Sequence, residues 1–308
     1  MNRPLYLSYF NLREPPFALT SNTNYFFPGG DRGATLDALL YAVMNTEGVI
    51  TVTGEVGSGK TTMARMLVEK KPRHLELVYV ANPAINSHEL VFLIARELRM
   101  RVNDLSLAQV LLGLQRRLIT LHSRGKRVAI LIDEAHGMSA DTLEQIRLLS
   151  NLETNEHKLL HVLLVGQDEL NQTLALQQMR PLRERITERF RLEPLAHAVI
   201  AEYLRHRLRR AGGNPQCFEA KAIAAIAGAS QGLIRRVNIL AEKSLVAAFA
   251  HETQTVTGAH VRAAITDAQF GELPTHSRWF SPSRWFSLSR WRVWLLASRS
   301  AARPVSLL

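Results

Sequence analysis

The chain has 308 residues, long enough for two domains and a sizeable core, and an ordinary composition for a folded protein. Lys and Arg total 38 against 27 Asp and Glu, a formal charge of +11 that favours acidic partners such as nucleic acid or anionic lipid. A single cysteine, Cys217, excludes an internal disulfide framework, and no apolar run approaches the roughly 20 residues that span a bilayer.

The N-terminus, MNRPLYLSYFNLREPPF, lacks the apolar stretch of a secretory signal and carries Glu14 early, so the cytoplasm is the default compartment. Residues 1–47 read as a leader of turns and one helix: REPPF and FFPGGDRG are Pro and Gly punctuation, and RGATLDALLYAVM is apolar at helical spacing. Residues 48–195 alternate β-branched runs (VITVT, LELVYVA, RVAILI, LLHVLLV) with amphipathic helices, the pattern of a parallel sheet covered on both faces. Residues 196–270 hold four helical segments and no strand candidate, a small all-helical domain. The expected class is thus α/β: a parallel-sheet core followed by a small helical domain, or lid. Residues 271–308 form a basic tail, read as disordered or peripheral. Its SRWFSP SRWFSL SRWRVW is one six-residue repeat written three times, with all four tryptophans of the chain.

Within VITVTGEVGSGKTT, Gly54, Gly59, Lys60 and Thr61 fit G-x-x-x-x-G-K-[ST]. The segment Gly54, Glu55, Val56, Gly57, Ser58 and Gly59 would turn backbone N–H groups around phosphate oxygens. Lys60 would neutralise the β and γ phosphates, Thr61 would ligate Mg²⁺, and Thr62 completes the helix start. The plainer alternative is a glycine-rich turn with a surface lysine. RVAILIDEAH ends a buried strand in Asp133 and Glu134, a metal holder beside a carboxylate that can polarise water; the alternative is an acidic pair ending a strand at the surface. At least one further strand is expected between these two in the sheet. Gln167, just past the fourth strand, would reach toward the γ-phosphate, or serve as a turn glutamine. His136 and the other histidines lack metal-ligand spacing and read as core or surface residues.

PLRERITERFRLEPL carries Arg183, Arg185, Arg189 and Arg191 on what reads as a helical stretch before a short strand, either a solvated face or the source of an arginine finger for a neighbouring subunit. Arg235 and Arg236 in QGLIRRVN begin a lid helix, from which one could close over the same phosphates.

The order of TGEVGSGKTT, ILIDEAH, LLSNLET, LLVGQDEL, RITERFRLEPL and GLIRRVN resembles the AAA+ superfamily of the ASCE P-loop NTPases. Over residues 5–270 the chain is similar to its ExeA/GspA group of secretion ATPases, and the leader YFNLREPPFALTSNTNYFFPGGDRGATLDALLYAV to an MshM-like branch of MSHA pilus biogenesis. The resemblance implies an ATP hydrolase that binds ATP and Mg²⁺ and works as a homo-oligomer, with pilus or secretion assembly proteins as partners at the inner membrane. Carried over by position, it makes Asp133 the metal holder, Glu134 the catalytic base, Gln167 sensor 1, Arg189 the finger with Arg185 second, and Arg235 sensor 2. Phe27 and Arg32 fall where such leaders pack near the base, a plain core or surface role being equally open. ExeA-type proteins continue into a transmembrane helix and a periplasmic peptidoglycan-binding domain, and the chain stops before either, which points to the shorter architecture. The Arg-Trp tail departs from the family. It suits an interfacial anchor on anionic lipid, a nonspecific nucleic-acid contact, or an extension with no selected role. The competing functions are a nucleotide-gated DNA-binding ATPase of the transposition kind and an assembly switch that binds ATP without turnover.

Overall fold

The computed structural model describes residues 4–81, 84–154 and 157–268. The repeat tail expected at residues 271–308 lies outside them.

The leader contributes α1 (Leu5–Tyr9) and α2 (Arg32–Asn45), one short helix more than the sequence indicates. Strand β1 (Val49–Thr53) then runs into α3 (Lys60–Lys70), followed by β2 (Leu75–Val80), α4 (Ser87–Glu97) and α5 (Leu107–Ser123). Next come β3 (Arg127–Ile132), α6 (Ala140–Leu149), β4 (His161–Val165), α7 (Asp168–Ala175), the short α8 (Arg180–Arg183) and β5 (Ile186–Arg191). Four helices close the described chain: α9 (His197–Arg210), α10 (Ala220–Ser230), α11 (Ile234–Ala250) and α12 (Gly258–Ala268).

The five strands form one parallel sheet in the order β2-β3-β4-β1-β5. The expected separation is present, since β4 lies between β1 and β3. Because a strand sends successive side chains to opposite faces, the apolar runs supply two cores. Val128, Ile130, Ile132, Val162 and Leu164 bury one face against α4 to α8. Ala129, Leu131, Leu163, Val165, Ile50 and Val52 bury the other against α2 and α3. Every residue of β1 and β4 is buried, as a central strand requires.

The arginine-rich segment departs from expectation. Arg189 and Arg191 lie in β5, not on a helix, and the helix ends at Arg183. Ile186, Glu188 and Phe190 are half-buried while Thr187, Arg189 and Arg191 are exposed, so the period is two. Pairing of Ile186 to Arg191 along β1 decides the matter, with the backbone hydrogen bonds of an edge position. An arginine-rich window carries no local signal strong enough to reveal that pairing.

A third core joins the two ends of the described chain. Tyr6, Leu7, Phe10, Leu12, Phe17, Tyr25 and Phe27 pack with Ile200, Tyr203, Leu204, Val237, Leu240 and Leu245 of the terminal helices. The leader is thus divided, its first part on the helical lobe and α2 on the sheet. Arg207, 8% exposed, clasps it: the guanidinium donates to Pro16 O and Ala18 O and sits 4.5 Å over the Tyr25 ring. Tyr6 adds a hydrogen bond to the buried Glu242 carboxylate.

Replacement of Arg207 strands two carbonyls and a ring face, each unmade bond costing on the order of 1–3 kcal/mol. Arg207→Met is therefore expected to lower the free energy of unfolding by about 2 kcal/mol and to speed proteolysis within residues 11–22. Urea denaturation and timed digestion check this; an unchanged midpoint would show that the clasp contributes nothing.

Candidate nucleotide site

Parallel strands bring their carboxyl ends to one edge, and the loop, acidic and glutamine residues singled out in the sequence meet there. The edge is stitched by backbone bonds: Asp133 N donates to Val80 O at 2.9 Å, Gly166 N to Val52 O at 2.9 Å and Leu192 N to Thr53 O at 2.7 Å.

Lys60 opens α3 and is 6% exposed, with Nζ donating to Gly54 O and Glu55 O at 2.8 Å each. Burial pulls its pKa down, and the charges of Glu134, Asp133, Asp168 and Glu169 oppose that shift. Ser58 Oγ is buried in the loop without a hydrogen-bond partner. Gly57, at φ +82°, brings the loop so close to the helical lobe that a Cβ there would meet Arg235 Cβ at 2.7 Å. Arg235 N also donates to Gly57 O at 3.1 Å.

Asp133, 2% exposed, has both oxygens engaged. Glu134 N donates to Oδ1 at 2.9 Å, Tyr79 OH donates to Oδ2 at 3.2 Å, and the Thr61 hydroxyl also hydrogen-bonds the carboxylate. Burial raises its pKa above the ordinary carboxylate value, the three hydrogen bonds opposing that rise and the Glu134 charge adding to it. Glu134 follows at φ +54°, a left-handed conformation that costs a non-glycine residue about 1 kcal/mol. Its carboxylate lies 3.6 Å from His136 Nδ1.

Gln167 caps α7 and lines a cavity of about 430 Å³ with Glu55, Asp168, Glu169, Arg235 and Arg236. A larger groove of about 680 Å³ runs along α4 from Ile85 to Arg96 and contains none of these residues. Asp168 pairs with Arg191 at 3.1 Å, which also meets Glu193 at 2.8 Å. The fold thus gathers Gly54, Glu55, Val56, Gly57, Ser58, Gly59, Lys60, Thr61, Asp133, Glu134, Gln167 and Arg235 around one edge. Thr62 stands beside them in the first turn of α3. Arg185 and Arg189 are elsewhere: Arg185 precedes β5 at the amino edge of the sheet, its Nη1 3.3 Å from Ser150 Oγ, and Arg189 is exposed in mid-strand.

One residue beyond the sequence reading takes part, Tyr79, alongside Arg32 and Phe27 of the leader. Tyr79 is the polar member of the α3-facing row of β2, and an aromatic hydroxyl after Leu75 and Leu77 in that row was its only sequence signal. Arg32 is 4% exposed, donates to Glu193 O at 3.0 Å, approaches Gly59 with Nη1 and keeps Nε without a partner; burial pushes its pKa down to about 10. Phe27 stacks edge-on with Tyr203 and His206, 5.5 Å between centroids in each pair, and so joins the helical lobe's core.

The donor set fits a nucleoside triphosphate with a hard divalent cation: the Thr61 hydroxyl beside the Asp133 carboxylate gives oxygen ligands, and the unpartnered Ser58 hydroxyl and the Lys60 ammonium supply donors to phosphate. Loss of the Tyr79 hydroxyl should loosen Asp133 without touching the loop. Tyr79→Phe is expected to raise the Mg²⁺ concentration for half-maximal binding of fluorescent ATP by about tenfold while metal-free binding is unchanged; titration of the cation at constant nucleotide reads it.

Comparison with known proteins agrees with this geometry. Residues 43–174 match a family model described as an AAA domain. General secretion pathway protein A of Aeromonas hydrophila is 36% identical over 261 residues, 84% of this chain and 48% of the relative, so the chain spans about half the length of the curated relative it matches. Among solved structures, the ORC2 protein of Aeropyrum pernix aligns with TM-score 0.61 at 17% identity, covering 82% of this chain and 71% of the other. The RuvB Holliday junction branch migration motor of Thermotoga maritima aligns with TM-score 0.54 at 16% identity, covering 81% and 72%.

Proposed function

From a chain with the AAA P-loop NTPase fold and an ExeA/GspA-type relative, we propose an ATP hydrolase that acts as a homo-oligomer in assembling a type II-like secretion apparatus or an MSHA-like type IV pilus. The observation that carries the chemistry is the convergence of Lys60, Thr61, Asp133 and Glu134 on one sheet edge beside a cavity. The 36% identity to General secretion pathway protein A carries the pathway. The leader's resemblance to MshM supports the pilus branch.

Lys60 and the N–H groups of Gly57, Ser58 and Gly59 hold the β and γ phosphates. Thr61 and Asp133 hold Mg²⁺, which when bound offsets charge on the phosphate oxygens. Glu134 takes a proton from a water as the water's oxygen bonds to the γ-phosphorus; the bond to the bridging oxygen breaks and ADP leaves with that electron pair. Gln167 orients the water. Arg189, exposed on edge strand β5, reaches a neighbouring subunit's γ-phosphate, with Arg185 second because Ser150 already engages it. Arg235, on the first turn of α11 and bonded to Gly57, passes the state of the loop to helices α9 to α12, which move as a lid on the core of residues 48–195. The site would operate in the cytoplasm at the inner face of the membrane; among the described residues no helix is long and apolar enough to cross it.

The second reading, nucleotide-gated binding of DNA, is favoured by the net charge of +11. It requires salt-sensitive binding to duplex DNA that survives removal of residues 273–308.

ATPase rate per subunit, measured against protein concentration, tests the main reading. It should rise with concentration; Glu134→Gln should abolish it, and Arg189→Ala should lower it by about a thousandfold, both variants still binding ATP. Tight binding with no turnover at any concentration would replace the motor by an ATP-dependent assembly switch.

A further inference from the structure

His136 stands on the short turn Ala135–Gly137 that follows the two acidic residues. Its Nδ1 accepts a hydrogen bond from the Gln167 backbone N–H at 3.4 Å and lies 3.6 Å from Glu134 Oε2. One ring nitrogen therefore faces the base from one side and the first peptide of the Gln167 segment from the other.

These two neighbours make opposite demands. An amide N–H can only donate, so it is served when Nδ1 presents a lone pair and the ring proton sits on Nε2. In that tautomer the ring offers no donor to Glu134, whose carboxylate stays open to a water. A proton on Nδ1 would reverse both relations, occupying Glu134 and releasing Gln167.

The packing fixes the turn from which the ring projects. Ala135 is 1% exposed, and a Cβ on Gly166 would lie 3.2 Å from His136 N, so the turn is pressed against the end of β4. Glu134 enters the turn at φ +54°. A displacement of Gln167 toward or away from a phosphate is thus transmitted to the turn that carries Glu134.

We propose that His136 is a positioning residue for the hydrolysis set out above: by accepting the Gln167 amide proton at Nδ1 it locks the sensor segment to the turn bearing the base while leaving the Glu134 carboxylate free. The inference rests on the ATPase reading. It assigns His136 no contact with nucleotide or metal.

The test compares the wild-type chain with His136→Asn and His136→Leu. Asparagine can place its amide oxygen near the position of Nδ1, whereas leucine is of similar size and has no acceptor. Since a displacement of about 1 Å can cost on the order of a hundredfold in rate, His136→Leu is expected to lower kcat by about that factor. ATP affinity and KM should stay within about twofold, because Lys60, Thr61 and Asp133 are untouched. His136→Asn should recover most of the rate, and thermal unfolding of the three proteins should coincide. Nitrogen NMR of histidine-labelled wild-type protein should show the His136 proton on Nε2.

Wild-type kcat in the leucine variant, or an asparagine variant as slow as the leucine one, overturns the proposal. So does a proton found on Nδ1, a readout that judges the geometry without any turnover. If the wild-type protein binds ATP and does not hydrolyse it, the ATPase reading fails separately, and the NMR result still decides whether Nδ1 holds the Gln167 amide.

Discussion

A lysine residue that is 6% exposed has lost most of its hydration, and much of this structure follows from how that loss is offset. Lys60 donates to two carbonyls of its own loop, which requires the chain between Gly54 and Lys60 to curl around the side chain. The remaining compensation is long-range: carboxylates at the tips of β3 and β4 favour the charged form against burial. A parallel sheet is the arrangement that places those tips beside the loop, since every strand ends on the same edge. The acids that would handle metal and water thereby also keep the loop's cation charged.

The leader links this edge to the helical lobe. Tyr6, Phe10, Phe17, Tyr25 and Phe27 belong to the core of α9 to α12, its helix α2 to the core under β1 and α3, and Arg32 stands at the crossing between Gly59 and Glu193 O. Arg235 N on Gly57 O and Leu195 N on Gly232 O make the other contacts at this joint. Any change in the loop is therefore felt by the lobe through backbone bonds as well as through side chains. The division of the leader was invisible to pattern reading because REPPF and FFPGG mark turns without saying which surface the turned chain meets.

Strands β1 and β3 stand where VITVT and RVAILI place them, β2 and β4 within two residues of LELVYVA and LLHVLLV, and the four terminal helices within one or two residues of their apolar stripes. Such segments are legible because one period of buried residues suffices to define them. The loop was legible for a different reason: phosphate binding needs glycines and a lysine at a spacing that little else demands. The arginine-rich segment was misread because its inward row, Ile186, Glu188 and Phe190, is mixed in polarity, and only pairing with β1 makes it a strand. His136 reads as a core or surface residue in the sequence because its hydrogen bond is to Gln167, 31 residues away.

The sequence alone thus determined the local chemistry and the class of fold, through properties written in consecutive residues: the spacing of Gly54, Gly59 and Lys60, the apolar runs, and the carboxylates ending one of them. Only the tertiary structure decided which of those residues share a site. Tyr79 reaches Asp133, the ring of His136 lies between Glu134 and Gln167, and Arg32 lies against Gly59, because strands β2, β3, β4 and β1 stand side by side with α2 and α3 folded over them. Those neighbours are set by sheet order and close packing, which depend on the whole chain at once and leave no mark at any single position.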